Sequence, residues 1–297
     1  MNYTIENETI KATISSYGAE LISLVNKASG AEYMWCGDKA YWGRVSPVLF
    51  PFVGKVAGGR YVHEGIEYEM GQHGFARDME FELIRRDENV IAFELKSNEE
   101  TLKKYPFEFS LVITYEVLIR EKSGKPELKV EWTVTNTGAK DMHFSIGAHP
   151  AFNCPPLGSD YSQPECSLKF DKKDGIVYGL LNDDGLLEMD CNYITLDNGL
   201  LPIDAHLFDN DALIIENNQT HAIALADNSG RSYVTVLFDA PLVGVWSPAG
   251  KCAPFVCIEP WYGRADRFDF TGELREREWG NALASGEKFD AGYEILL

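Results

Sequence analysis

The chain of 297 residues carries a formal charge of −19 and an isoelectric point near 4.7, which leaves no basic footprint for general binding to nucleic acid or an anionic membrane. Its 45% hydrophobic and 12% aromatic residues are enough for a packed core, so disorder is not the expectation. The six cysteines at 36, 154, 166, 191, 252 and 257 include no Cys-x-x-Cys pair, and read as reduced thiols rather than a disulfide frame or a zinc site.

The opening residues, Met1-Asn-Tyr-Thr-Ile-Glu, lack the basic-then-apolar order of a secretory leader, and no apolar run has the length of a membrane span. A cytoplasmic protein with no membrane partner is expected. Tyr3-Thr-Ile and Ile10-Lys-Ala-Thr-Ile14 flank a polar turn and predict a hairpin. Residues 90–95, 107–119 and 128–135 largely alternate apolar and polar at period two, which predicts half-buried strands. The last two are joined by the turn-rich connector Arg120-Glu-Lys-Ser-Gly-Lys-Pro126. Further strands are predicted at 222–226, 233–238, 243–246 and 255–259. The best helical signal is Ser97 to Lys104, with a capping residue, early acids and a stop at Pro106. Residues 154–166 and 182–192 read as irregular surface loops near a rim. With no low-complexity linker and no fixed repeat, residues 1–297 are expected to form one domain, an all-β fold built as a large antiparallel β-sandwich with few short helices.

Chemistry concentrates in three boxes: Gly71-Gln-His-Gly-Phe-Ala-Arg77, Gly147-Ala-His-Pro-Ala-Phe-Asn153 and Phe255-Val-Cys-Ile-Glu-Pro-Trp-Tyr-Gly263. Glu259 ends an apolar run, where an unpaired carboxylate is costly to bury. Two imidazoles and a carboxylate can move protons on a neutral molecule near pH 7. Each residue also has a bland reading. His149, placed before Pro150, could bond a backbone carbonyl at a strand end; His73, between glycines, could be a turn residue. Glu259 could pair with Arg264 or Arg267, Asp211 could terminate a turn, and Trp246 and Trp261 could belong to the core or stack on a sugar ring. Arg60 and Arg77 lie beside the glycine and histidine boxes. Phosphate-loop, nucleotide and Gly-x-Ser-x-Gly signatures are missing, and His143 and His149 lack the spacing of a metal motif.

With Ser46-Pro-Val-Leu-Phe-Pro-Phe-Val-Gly54 and Gln72-His-Gly-Phe-Ala-Arg-Asp78, these boxes resemble the aldose 1-epimerase (galactose mutarotase) family, in its bacterial mutarotase-like branch. The resemblance implies a β-supersandwich, a monomer or homodimer without cofactor or metal, and interconversion of the anomers of a small-molecule hexose. It implies that Glu259 is the general base and His149 the general acid, and that His73, Arg60 and Asp211 contact the sugar, with Arg77 and Trp261 as further binding candidates. Better-known members carry Asn where this chain has Gly59 and Ala148, so the distal sugar contacts are expected to differ. A hexose-6-phosphate 1-epimerase would need a basic cluster, for which Lys55, Arg60 and Arg77 are candidates. A non-catalytic carbohydrate-binding module would keep the pocket without turnover.

Overall fold

A computed structural model describes residues 1–121 and 123–297; Lys122, in the connector between two long strands, lies outside the described residues. The architecture is antiparallel throughout its named strand pairs. A three-stranded sheet, Asn2–Glu6, Ile10–Ser15 and Glu20–Asn26, opens the chain. A nine-stranded sheet is centred on Phe109–Ile119, Pro126–Asn136 and Lys288–Leu296. An eight-stranded sheet, centred on Leu242–Trp246 and Phe255–Tyr262, carries the three chemical boxes or their neighbours.

Two of the three alternating runs behave as period-two strands should, whereas the third, Val90–Lys96, is buried on both faces over its first four residues. Phe109–Ile119 pairs with Pro126–Asn136 along their whole length, and along the former every second side chain is buried. Trp132, Tyr115 and Phe109 from these strands, with Phe93 from Val90–Lys96, join Phe50, Phe52, Phe144 and Phe152 in the core. Buried phenols are satisfied by backbone carbonyls: Tyr115 Oη donates to Ala19 O at 2.7 Å and Tyr105 Oη to His143 O at 2.8 Å. The predicted helix is present as Glu99–Lys104, with Asn98 as its N-cap and Thr101 completing a capping box. No helix among the described residues is long and apolar enough to cross a membrane.

One expectation is corrected. Residues 182–192 are not wholly irregular, because Leu187–Thr195 is a strand paired with Gly175–Leu181. It is the outermost strand of the eight-stranded sheet and most of its side chains are exposed; Leu187, Met189, Cys191 and Tyr193 do alternate with polar residues, but the turn-rich Asn182-Asp-Asp-Gly185 directly before them masks that pattern.

The position of the site follows from one interruption. Phe255–Tyr262 is a central strand, buried on both faces, with Leu242–Trp246 on one side. On the other side its partner is split: Ala151–Asn153 pairs with Phe255 to Cys257, and Ile146–Ala148 pairs with Trp261 and Tyr262. Proline is normally excluded from a central strand for want of an N–H. Pro260 falls opposite the split, where those two partner strands form no ladder pair with it. His149 and Pro150 occupy the split itself, and His149 reaches Glu259 across it.

Candidate active site

Glu259 is 1% exposed, and its Oε2 lies 3.3 Å from Nε2 of His149. The two do not complete an aligned hydrogen bond, so Oε2 is buried without a hydrogen-bond partner, as is Nδ1 of His149. The bland reading of Glu259 does not apply: Arg264 is held by Glu216 and Glu278, and Arg267 by Asp269. The His149 backbone N–H donates to Pro47 O at 3.1 Å, which fixes the segment after Ala148.

His73 approaches from a different loop, its ring 5.6 Å from that of His149 and nearly perpendicular to it at 85°. Its φ of +66° is left-handed, an uncommon state for a residue with a side chain. Two bonds to Gly54 hold it there: the His73 N–H donates to Gly54 O at 2.8 Å, and Nδ1 accepts from the Gly54 N–H at 3.1 Å. Because Nδ1 accepts, the neutral ring carries its hydrogen on Nε2. The adjoining Gly74 is obligatory, since a Cβ there would lie 2.3 Å from the Phe50 carbonyl oxygen.

Aromatic rings enclose the histidine. Trp42 stacks on His149 with centroids 4.7 Å apart and planes 24° apart, and Trp246 meets the same ring edge-on at 5.5 Å. Trp42 belongs to a loop with no regular structure. It is positioned by Trp35, whose Nε1 donates to Trp42 O at 2.9 Å, and by Lys251, whose Nζ donates to Ala40 O at 3.2 Å. Trp261, two residues beyond Glu259 and therefore on the same strand face, lies across Gly147 and Gly244. A Cβ at either glycine would come within 2.6 or 2.4 Å of its indole. Its indole approaches Glu259 closely enough to pull the carboxyl pKa down a little, without completing a hydrogen bond.

Of the remaining candidates, Asp211 is exposed with φ +68°, and its charge is the second cause, after burial, that raises the Glu259 pKa. Arg77 donates to Gln72 O at 2.7 Å, and its Nε is buried without a hydrogen bond, 3.8 Å from Oδ2 of Asp78. Burial lowers its pKa to about 10, and its charge is felt at both His73 and His149. Arg60 is not brought to this centre: its half-exposed guanidinium pairs with Glu67 and Glu69 across the Arg60–His63 and Ile66–Glu69 hairpin. Lys55 donates to Asp184 O. Lys55, Arg60 and Arg77, the candidates for the basic cluster that a phosphosugar reading would need, are therefore dispersed; the guanidinium that joins Arg77 in acting on both histidines is Arg44, itself paired with Asp78 at 2.7 Å.

The electrostatics bear on how Glu259 and His149 divide the base and acid roles. Burial raises the Glu259 carboxyl well above the usual carboxylate range. Burial also lowers His149 to about 3, assisted by the positive charges of Arg77 and Arg44. His73 is lowered by burial first and then by His149, Arg77 and Arg44. Both shifts favour the uncharged forms, a protonated carboxyl beside a neutral imidazole. That pair holds one proton, as the ion pair would, and differs from it only by transfer across the 3.3 Å contact. Such a pair can take a proton from one oxygen of a bound molecule and give one to another.

Trp42, Arg44 and Cys257 were not singled out from the sequence. Cys257 carries a legible signal: it stands two residues before Glu259 in a strand, hence on the same face. Among the described residues, His149, Cys257 and Glu259 are the group that could hold a metal ion, with one ligand atom from each lying within 4.8 Å of the others.

Comparison with known proteins is consistent with this geometry. Residues 1–295 match the family model described as aldose 1-epimerase. The chain is 32% identical to the plasmid-encoded protein LacX of Lactococcus lactis subsp. lactis over 307 aligned positions, covering 100% of this chain and 99% of the relative. It superposes on a galactose mutarotase related enzyme from Lactobacillus acidophilus with a TM-score of 0.91 and 36% identity, covering 100% of this chain and 97% of that one. A galactose mutarotase-like protein from Lactobacillus casei gives 0.90 and 33%, covering 100% and 99%.

Proposed function

Since the chain belongs to the aldose 1-epimerase family, matched over residues 1–295, we propose that it interconverts the α and β anomers of free hexoses such as glucose and galactose. The observation that carries this reading is the buried contact of His149 with Glu259, two unsatisfied proton-transfer groups 3.3 Å apart beneath aromatic rings.

Anomer exchange requires a proton to leave the C1 hydroxyl and a proton to reach the ring oxygen. The C1–O5 bond then breaks, the aldehyde turns about C1–C2, and O5 adds to the opposite face. Transfer of the shared proton from Glu259 to His149 puts the pair in its working state, a carboxylate base and an imidazolium acid. Glu259 takes the C1 hydroxyl proton and His149 protonates O5; ring closure reverses both roles. Nε2–H of His73 is a donor for a sugar oxygen near the reacting centre. The faces of Trp42 and Trp246 suit the apolar face of a pyranose, and Asp211 can accept from distal hydroxyls.

A second reading, a hexose 6-phosphate in the same centre, is favoured by Arg44 and Arg77, whose charges both act on the two histidines. Polarimetry on freshly dissolved α-D-glucose, α-D-galactose and glucose 6-phosphate tests both. Fast relaxation of the free sugars, unchanged in Arg44→Gln, supports the first reading. Activity confined to the phosphorylated sugar and lost in Arg44→Gln selects the second. Sugar binding without anomer exchange would sink both and leave a binding module.

A further inference from the structure

Glu259 has a neighbour that the proton-transfer chemistry does not use. Cys257 is fully buried, stands on the same face of the same strand, and joins Glu259 and His149 in a set whose ligand atoms all lie within 4.8 Å. We propose that this trio is a binding site for a thiophilic divalent cation, of the zinc class, and that the ion excludes sugar from the acid–base pair.

The donor set selects the ion. A thiolate, an imidazole and a carboxylate are ligands of Zn²⁺, whereas Mg²⁺ and Ca²⁺ prefer all-oxygen shells. The spacing is suitable too. Two N or O ligands about 2.05 Å from a tetrahedral metal stand about 3.3 Å apart, and a sulfur ligand about 3.6 Å from either. The His149 Nε2 to Glu259 Oε2 separation is already 3.3 Å. The 4.8 Å bound on the set leaves the Cys257 sulfur about an ångström to move.

Charge also closes at this site. A thiolate and a carboxylate bring two negative charges against two positive, so a neutral assembly replaces a bare ion in a pocket where net charge is costly. Binding displaces the thiol proton of Cys257 and the acidic proton of the pair, and no redox partner is involved. Oε2 of Glu259 is buried without a hydrogen-bond partner. Three protein ligands leave a fourth position for water. The coordinated pair can no longer exchange protons, so occupancy stops turnover. That inhibitory consequence rests on the epimerase reading; the binding itself does not.

The experiment uses zinc chloride and magnesium chloride in the polarimetric assay, and cobalt(II) as a spectroscopic probe. For the probe, the exposed Cys36, Cys191 and Cys252 are replaced by serine, so that only a buried thiol can report. Wild type should be inhibited by zinc and not by magnesium. Cys257→Ser should keep turnover but need at least about tenfold more zinc, since even outer-shell changes at metal sites cost about 10–100-fold in affinity. Cobalt should give a thiolate charge-transfer band that Cys257→Ser abolishes. If the serine variant does not fold, Cys257→Ala replaces it, and saturating galactose should raise the zinc needed to inhibit wild type. Equal zinc sensitivity with and without Cys257, no protection by galactose, or no thiolate band would each overturn the site. If the protein exchanges no anomers at all, the cobalt band alone decides it, separately from the epimerase reading.

Discussion

Replacing Glu259 by glutamine separates the chemistry of this site from its cost to the fold. Glutamine keeps the shape but cannot take a proton from a hydroxyl. Loss of a positioned acid or base is worth about 10²–10⁴ in rate, or about 3–5 kcal/mol of transition-state stabilisation. The effect on stability runs the other way. The carboxyl is 1% exposed, and burial raises its pKa well above 4.5. As pH rises past 4.5 the unfolded chain releases this proton while the folded chain retains it. Wild-type stability is therefore lost with rising pH, by up to about 1.4 kcal/mol per unit, until the folded pKa is passed.

Glutamine does not titrate and escapes that loss. Its amide adds a buried donor, which costs about 1–3 kcal/mol if unsatisfied. The Nε2 of neutral His149, 3.3 Å from the present Oε2, is positioned to accept from it. Near pH 5 the two proteins should be of similar stability, and near pH 8 the variant should melt higher, by about 2 °C per kcal/mol for a chain of this size. Polarimetry on α-D-galactose measures the rate, and thermal melts at both pH values measure the rest. Turnover within tenfold of wild type would remove Glu259 as the base. Melting curves displaced equally at pH 5 and pH 8 would refute the argument that its burial is opposed by its charge.

Three other perturbations follow from the same geometry. His149→Ala should lower kcat by about 10²–10⁴ with little change in KM; steady-state kinetics showing a pure KM defect would contradict the acid role. The folded pKa of His149 is depressed from 6.5 to about 3, so the unfolded state protonates first as pH falls. Wild type should lose stability through that window and the alanine variant should lose less of it, which urea titrations at pH 7 and pH 4.5 compare. Trp42→Ala removes a stacked ring from His149 and should raise the histidine pKa while weakening sugar binding by about 0.5–1.5 kcal/mol. An NMR titration of His149 reads the first effect and calorimetry the second; an unmoved His149 signal would mean the indole does not desolvate it. Gly244→Ala places a Cβ 2.4 Å from the Trp261 indole and should destabilise by about 1–3 kcal/mol. Chemical denaturation with an unchanged midpoint would show that the indole can move aside.

What could be read from the amino-acid sequence divides along a physical line. Strands with one buried face, such as Phe109–Ile119, write their burial as alternation and are legible. Leu187–Thr195 alternates as well, at Leu187, Met189, Cys191 and Tyr193, but it is exposed along most of its length and the Asn182-Asp-Asp-Gly185 turn ahead of it masks the pattern. His73, His149 and Glu259 were visible because each depends on local backbone: glycine next to a left-handed histidine, and proline after the histidine and the glutamate. Trp42 was invisible because its place depends on partners without local pattern; Lys251, which holds its loop, is 211 residues away from Ala40. Arg60 was assigned to the sugar by the family resemblance, whereas the turn carries it onto a solvent-facing hairpin among glutamates. Arg44 does the reverse, far in sequence from both histidines but with a charge that reaches both. The protonation state was the least legible of all. Residue types suggest an ion pair, but the balance is set by how completely the sheet, Trp42 and Trp246 exclude water from one proton shared by two side chains, and that is a property of the closed fold.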